Sequence, residues 1–153
     1  MRKILLILVL FFGVNVAFAQ EHVVANENVK WEMSFEKAIK KAKKEKKPVL
    51  VFFTGSDWCP PCKRIERELI ETDKFKGFSD KNLVLYKADF PRNRDLVTES
   101  ARKENGQLKF KYGVSSFPTM LVVNAEGDVL GQKKGAYMTE YYYPFLEEIV
   151  KNN

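Results

Sequence analysis

A chain of 153 residues with a formal net charge of +6 and 45% hydrophobic residues fits one globular domain with a core of its own. Its excess of basic residues is spread along the chain and not gathered into a patch with interleaved aromatic residues, so nucleic-acid binding is not indicated. Cys59 and Cys62 are its only cysteines, so the fold does not depend on a framework of disulfides.

The N-terminus has the three parts of a secretory signal peptide. Arg2-Lys3 forms the basic start, Ile4–Phe12 is the apolar run, and Ala17-Phe18-Ala19 places small residues at alternate positions. An uncleaved membrane anchor is the alternative, but the apolar stretch stops short of the roughly 20 residues that cross a bilayer. We therefore expect cleavage after Ala19 and export, to a periplasm in the first place and otherwise to the outside of the cell.

After the cleavage site we expect a flexible polar lead-in over residues 20–28 and one folded domain over residues 29–153. Apolar residues recur at helical spacing from Phe35 to Ala42, after the N-cap candidate Ser34. In chain order, the pattern predicts an edge strand near 29–31, this first helix ending at Pro48, a buried strand over 49–54 and a helix from the cysteines to about Gly77. A buried strand from Leu83 to about Asp89 follows, and then a helix-compatible stretch over 93–111 that is broken at Asn105-Gly106. The last elements are a strand over 119–123, a hairpin loop over 124–128, a strand from Val129 and a helix to about Val150 that Pro144 begins or kinks.

This order of elements indicates an α/β fold with one mixed β-sheet covered by helices on both faces. The two cysteines lie where a central strand passes into its helix. Functional sites of such open sheets form at the carboxyl ends of the strands. The cysteine pair is therefore the candidate site.

The motif Trp58-Cys59-Pro60-Pro61-Cys62 carries the chemistry. Cys59 falls at or just before a helix N-terminus, where unpaired backbone N–H groups and the helix dipole stabilise a thiolate. In Cys-x-x-Cys motifs the pKa of the reactive thiol falls from about 8.5 to between about 3.5 and 7.5. Cys62, which is less accessible, can then attack a mixed disulfide and release the substrate. The pair predicts thiol–disulfide exchange with the thiols and disulfides of partner proteins, without a cofactor.

Other uses of the cysteine pair explain the sequence less well. A zinc site needs four ligands, and the only histidine, His22, lies far away in the chain. A purely structural disulfide that closes so short a loop removes little entropy from the unfolded chain. Capture of copper(I) by the thiolates would lack the usual cluster of methionine or histidine. We expect no metal, and a redox-inert module that binds extended peptides is the alternative function.

A second segment, Lys111-Tyr112-Gly113-Val114-Ser115-Ser116-Phe117-Pro118-Thr119, follows downstream. With both motifs, the chain resembles the thioredoxin superfamily from about Trp31 to Val150, and secreted bacterial thioredoxin-like proteins in particular. The resemblance implies a thioredoxin fold in which a cis peptide bond before Pro118 faces the cysteines. Phe117 and Pro118 would then line a substrate groove beside Trp58. A trans proline that opens a strand is the alternative.

Two features differ from the pattern of that family. The strand before the motif usually carries a buried aspartate that accepts the proton of the second cysteine, whereas this chain has Phe52-Phe53 there. Asp57 is close in sequence, but its place in a turn predicts a solvated group and not a base. The second difference is the stretch 91–106, which is longer than in compact members of the family.

The direction of the reaction is predicted from the surroundings of the cysteines. The interior of the motif, Pro60-Pro61, offers neither a cation nor an N–H group, and Phe52-Phe53 makes the floor apolar. A fairly reducing couple is expected, with a potential closer to about −270 mV than to about −120 mV, as in a reductase or isomerase. We also expect a monomer and, in a periplasm, a membrane protein as electron donor.

Overall fold

The computed structural model describes residues 29–153. The predicted signal peptide and lead-in fall on residues 1–28 and lie outside the described residues. Within residues 29–153, no helix is both long and apolar enough to span a membrane.

The described chain contains five strands and five α-helices. The strands are β1 (Trp31–Glu32), β2 (Val49–Thr54), β3 (Val84–Asp89), β4 (Thr119–Val123) and β5 (Val129–Lys134). The α-helices are α1 (Phe35–Glu45), α2 (Pro60–Ile65), α3 (Asp73–Asn82), α4 (Glu99–Lys111) and α5 (Tyr142–Asn152). A π-helical turn, Glu66–Ile70, continues α2, and 3₁₀ turns cover Arg94–Leu96 and Thr139–Tyr141.

The strands form one mixed sheet in the order β1-β3-β2-β4-β5. Strand β3 pairs parallel with both β1 and β2, whereas β4 pairs antiparallel with both β2 and β5. Every residue of β2 is buried, which confirms the reading of its continuous apolar run as a central strand. The predicted α/β fold with a mixed sheet is confirmed.

Alternating side chains of β2 divide the core into two layers. Leu50 and Phe52 pack on the face that carries both cysteines, whereas Val51 and Phe53 pack on the opposite face. The first layer is closed by α2, α3 and α5, and the second by α1 and α4. Helices therefore cover both faces of the sheet, as the sequence predicts.

The helix after the cysteines does not run to Gly77, so that prediction is wrong. The chain breaks at Thr72, whose hydroxyl donates to the Leu69 carbonyl oxygen at 2.6 Å and accepts from the Phe75 N–H at 3.2 Å. Thr72 thus caps a new helix, α3, and Gly77 lies inside it. A glycine in an exposed helix position is tolerated, so its presence alone did not mark an end.

The predicted break at Asn105-Gly106 is also wrong, because α4 is continuous through both residues. Asn105 is buried and its side chain has two partners. Its Nδ2 donates to the Asp89 carbonyl oxygen at 2.9 Å, and its Oδ1 accepts from the Tyr86 hydroxyl at 2.6 Å. The polar residue therefore fastens α4 to the end of β3 and does not interrupt the helix.

Candidate active site

Cys59 and Cys62 form a disulfide with an S–S distance of 2.02 Å. Cys59 is the N-cap residue of α2, and its Sγ accepts the backbone N–H of Cys62 at 3.3 Å. Pro60 and Pro61 occupy the first two helical positions, where a missing N–H costs nothing. The helix thus begins at the position that the sequence predicts. Both cysteines are buried, with 2% of Cys59 and 0% of Cys62 exposed.

A tight turn brings the chain from β2 into the motif. The Gly55 carbonyl oxygen accepts from the N–H groups of Trp58 at 3.2 Å and Cys59 at 2.9 Å. The indole of Trp58 lies directly against Gly55, where a Cβ would stand only 2.4 Å from a ring carbon. Ser56 donates its N–H and its hydroxyl to the carboxylate of Asp89 at 2.9 and 2.6 Å. The end of β3 therefore holds the turn that positions Cys59.

Asp57 is bound within a loop and is not a free carboxylate. Its two oxygens accept the backbone N–H groups of Arg92 at 2.9 Å and Asn93 at 2.8 Å. These hydrogen bonds lower the pKa of the Asp57 carboxyl, and the bond from Asn93 has the largest effect. The prediction that Asp57 does not act as the base is consistent with this role as an anchor of the 91–106 stretch.

The aromatic side chains of Trp58, Phe90 and Phe117 form a contiguous cluster beside the cysteine pair, and this surface is called the groove below. Trp58 meets Phe117 edge to face at 5.9 Å between ring centroids, and Phe117 stacks on Phe90 at 5.1 Å. The indole Nε1 of Trp58 donates to the Phe90 carbonyl oxygen at 2.7 Å. The peptide bond between Phe117 and Pro118 is cis, and Pro118 is buried. The structure thus places Trp58 against Phe117, the residue before Pro118; the resemblance to the thioredoxin superfamily assigned these three residues to one groove.

The floor beneath the cysteines is apolar, but only one of the two predicted phenylalanines belongs to it. Phe52 lies in the core layer of Cys59 and Cys62, whereas Phe53 lies in the other layer and stacks on Phe90 at 6.5 Å. The nearest acidic group along the helix is Glu66, one turn after Cys62. Its carboxylate pairs with Lys87 of β3 at 2.5 Å.

Cations lie over the rings of this groove. The guanidinium of Arg92 is 5.4 Å from the Trp58 ring centroid, and the Lys109 ammonium is 5.8 Å from the ring of Phe90 and 5.6 Å from that of Phe117. Among residues 29–153, no three histidine, cysteine, aspartate or glutamate side chains converge as a metal site would require. The site therefore offers a disulfide, aromatic walls and a positively charged rim.

Phe90, Arg92 and Lys109 are site residues that the sequence analysis missed. They lie more than 25 residues from the cysteines in the chain, and only folding brings them beside Trp58 and Phe117. One signal was available for Phe90, because an aromatic residue at the carboxyl end of a strand neighbouring β2 must lie near the motif.

Comparison with known proteins places this arrangement in a family. The family model described as thioredoxin-like domain matches residues 35–149, which include both cysteines and the cis-proline. The chain belongs to the thioredoxin-like domain family. Among curated proteins of this type, disulfide bond reductase DsbH of Chlamydia pneumoniae is 34% identical over 113 residues, which are 74% of this chain and 67% of that protein.

Two further comparisons support the thioredoxin-like fold and its chemistry. The thioredoxin-related protein DsbJ of Chlamydia pneumoniae is 30% identical over 101 residues, which are 66% of this chain but only 29% of that protein. A solved structure of a DsbH oxidoreductase superposes with a TM-score of 0.74 at 30% identity, and the match covers 89% of this chain and 94% of the other. These thioredoxin-like relatives share the fold over most of the described residues.

Proposed function

We propose that this protein is an exported thiol–disulfide oxidoreductase that exchanges disulfides with protein cysteines through Cys59 and Cys62, as a reductase or isomerase and not as an oxidase. Oxidoreductase activity follows from membership of the family together with the cysteine pair. The roles of the two sulfurs rest on one observation, the hydrogen bond from the Cys62 N–H to Cys59 Sγ at the start of α2. A sulfur in that position is stabilised as a thiolate, which is the reactive form.

The exchange proceeds in two steps that balance in atoms and electrons. In the reduced protein, the Cys59 thiolate attacks one sulfur of a partner disulfide, a Cys59–partner bond forms, and the other partner sulfur leaves as a thiolate. Cys62, as its thiolate, then attacks Cys59 and releases the second partner sulfur, which takes up a proton. Two electrons pass to the partner and the Cys59–Cys62 disulfide is left behind. The same steps in reverse, with an electron donor as the partner, reduce the Cys59–Cys62 disulfide back to the dithiol.

Substrate binding is assigned to Trp58, Phe117 and Pro118. The half-buried rings of Trp58 and Phe117 pack against the core layer that contains both cysteines, so an approaching disulfide would meet these rings first. Buried cysteines make such a groove necessary, because a partner has to be aligned before its sulfur reaches Cys59.

The reducing direction is supported by what surrounds the sulfurs. Strong oxidants depend on a strongly stabilised reduced form, whereas this motif has prolines in its interior and Phe52 beneath it. The relative DsbH is named a disulfide bond reductase, and a solved relative from Xylella fastidiosa, 26% identical, is a disulphide isomerase. Redox titration against glutathione tests the direction. A reduction potential of about −270 mV supports the reducing direction, whereas a potential of about −120 mV contradicts it.

Export and the physiological partners complete the proposal. The signal-peptide pattern of residues 1–19 supports export, with a periplasm as the destination. There a membrane protein would supply the electrons, and the protein would act as a monomer that needs neither a metal nor a cofactor. Residues 20–28 would link the cleavage site to the folded domain over 29–153.

An assay of insulin reduction by dithiothreitol separates the enzyme from a redox-inert peptide-binding module. The wild-type protein should accelerate the precipitation of reduced insulin chains, and a variant with both Cys59→Ser and Cys62→Ser should not. A wild-type protein that leaves the rate of precipitation unchanged would show that the disulfide is not used and would favour the binding module.

A further inference from the structure

Two cations, Lys109 and Arg92, lie over the aromatic rings of the groove, and neither belongs to an ion pair of the described residues. Lys109 Nζ lies within 6 Å of two ring centroids, those of Phe90 at 5.8 Å and Phe117 at 5.6 Å. The Arg92 guanidinium lies 5.4 Å from the ring of Trp58. The cations therefore border the aromatic rings that pack beside Cys59.

Within residues 29–153, neither cation has a carboxylate in direct contact that would neutralise its charge. The ion pairs of the described residues join other side chains, and neither Lys109 nor Arg92 takes part in one. Asp57 is within electrostatic reach of Arg92, but its two oxygens accept backbone N–H groups of the loop. A carboxylate from outside the molecule would thus find Lys109 without a competing partner.

An apolar depression continues the groove on the side of Lys109. It has a volume of about 550 Å³ and is lined by Gly106, Lys109, Phe110, Gly113, Val114 and Ser115. Phe110 is 90% exposed, which is unusual for so large an apolar side chain on a folded surface. Lys109 lines this depression and also lies over the ring of Phe117, so the depression adjoins the groove.

We propose that this surface selects protein disulfides whose reactive cysteine is accompanied by acidic residues, which pair with Lys109 and Arg92, and by an apolar side chain that packs against Phe110. The inference rests on the proposed function and names the class of substrate that the same site prefers. The occupant is a segment of a partner protein, because charge complementarity to the two cations and an apolar contact in the neighbouring depression are both needed. Opposite charges at the rim of an interface chiefly raise the rate of association, and salt weakens this effect.

The test uses three peptides that each contain the same disulfide and one apolar residue, flanked by glutamate, glutamine or lysine. The specificity constant kcat/KM of their reduction is measured with the full-length mature protein and dithiothreitol as the reductant. We expect the glutamate peptide to be reduced about three- to tenfold faster than the lysine peptide at low salt, and the difference to shrink in 0.5 M NaCl, where screening acts over about 4 Å.

Variants assign this preference to the named residues. Lys109→Gln should lower the glutamate-to-lysine rate ratio about threefold, whereas the matched variant Lys151→Gln, on the exposed end of α5, should leave it unchanged. Phe110→Ser should reduce the advantage of a peptide with an apolar residue over one with serine in its place. Circular dichroism checks that each variant is folded.

The outcomes separate this inference from the proposed function. Equal rates for the three peptides, or a rate ratio that survives Lys109→Gln, would overturn the preference for acidic segments while leaving the oxidoreductase intact. If the wild-type protein reduces none of the peptides, the proposed function and the inference both fail.

Discussion

Asn105 links α4 to the end of β3, and its replacement by alanine should lower the free energy of unfolding by about 2–3 kcal/mol. Asn105 is 1% exposed, with hydrogen bonds of 2.9 Å to the Asp89 carbonyl oxygen and 2.6 Å from the Tyr86 hydroxyl. Each bond contributes about 0.5–1.5 kcal/mol, and a buried carbonyl that loses its donor costs about 1–3 kcal/mol. The Tyr86 hydroxyl keeps Glu104 as a partner at 3.0 Å, and alanine returns up to about 0.7 kcal/mol in helix propensity.

Urea unfolding of the disulfide-containing protein measures this loss of stability. Gln107→Ala is the matched control, because Gln107 is exposed on the same helix and its truncation should change the stability by less than about 0.5 kcal/mol. Tyr86→Phe, alone and combined with Asn105→Ala, should show a coupling of at least about 0.5 kcal/mol, since the two side chains share a bond. A loss below about 1 kcal/mol in Asn105→Ala, or none of this coupling, would refute the role given to Asn105.

Three further predictions concern the turn, its acidic anchor and the N-terminus. Gly55→Ala should destabilise the fold by about 1–3 kcal/mol and change the fluorescence of Trp58, because the new methyl group overlaps the indole; unchanged fluorescence and stability would contradict that contact. The folded state lowers the pKa of Asp57, so its stabilising effect is complete above the ordinary value of 3.8 and is lost as the pH falls through the lowered value. Acid unfolding should therefore be less steep below pH 3.8 in Asp57→Asn than in the wild type, and identical profiles would count against the hydrogen bonds of that carboxylate. Intact-mass analysis of the exported protein should find a chain that begins at Gln20, whereas a mass that retains residues 1–19 would exclude the predicted cleavage.

The strands and the mixed character of the sheet could largely be predicted from the sequence. Continuous apolar runs at 49–54 and 119–123 mark strands buried on both faces, and the cysteine motif marks the helix that follows the first of them. The two helix boundaries that were wrong both depended on glycine as a stop signal. Thr72 ends one helix and begins the next through its side chain, and Asn105 is satisfied by residues of another element, so neither outcome is a local property of glycine.

Some residues of the candidate site could likewise be predicted from the sequence, and others could not. Cys59 could be placed at a helix N-terminus because the motif is local and its prolines fix where α2 begins. Trp58 and Phe117 could be joined only through the resemblance to a known family. Arg92 and Lys109 could not be found at all, because lysine and arginine are abundant in this chain and nothing near them in sequence marks their contact with the groove.

Trapping of mixed disulfides tests most directly that Cys59 attacks the partner and Cys62 resolves the intermediate. Cys62→Ser leaves the attacking sulfur at the N-cap of α2 and removes the one that releases the partner, so it should accumulate covalent complexes with partner proteins on non-reducing gels. Cys59→Ser leaves only the fully buried Cys62 and should accumulate few. Mass spectrometry of the complexes should find the partner cysteine joined to Cys59. Equal trapping by the two variants, or trapping through Cys62 alone, would contradict the account.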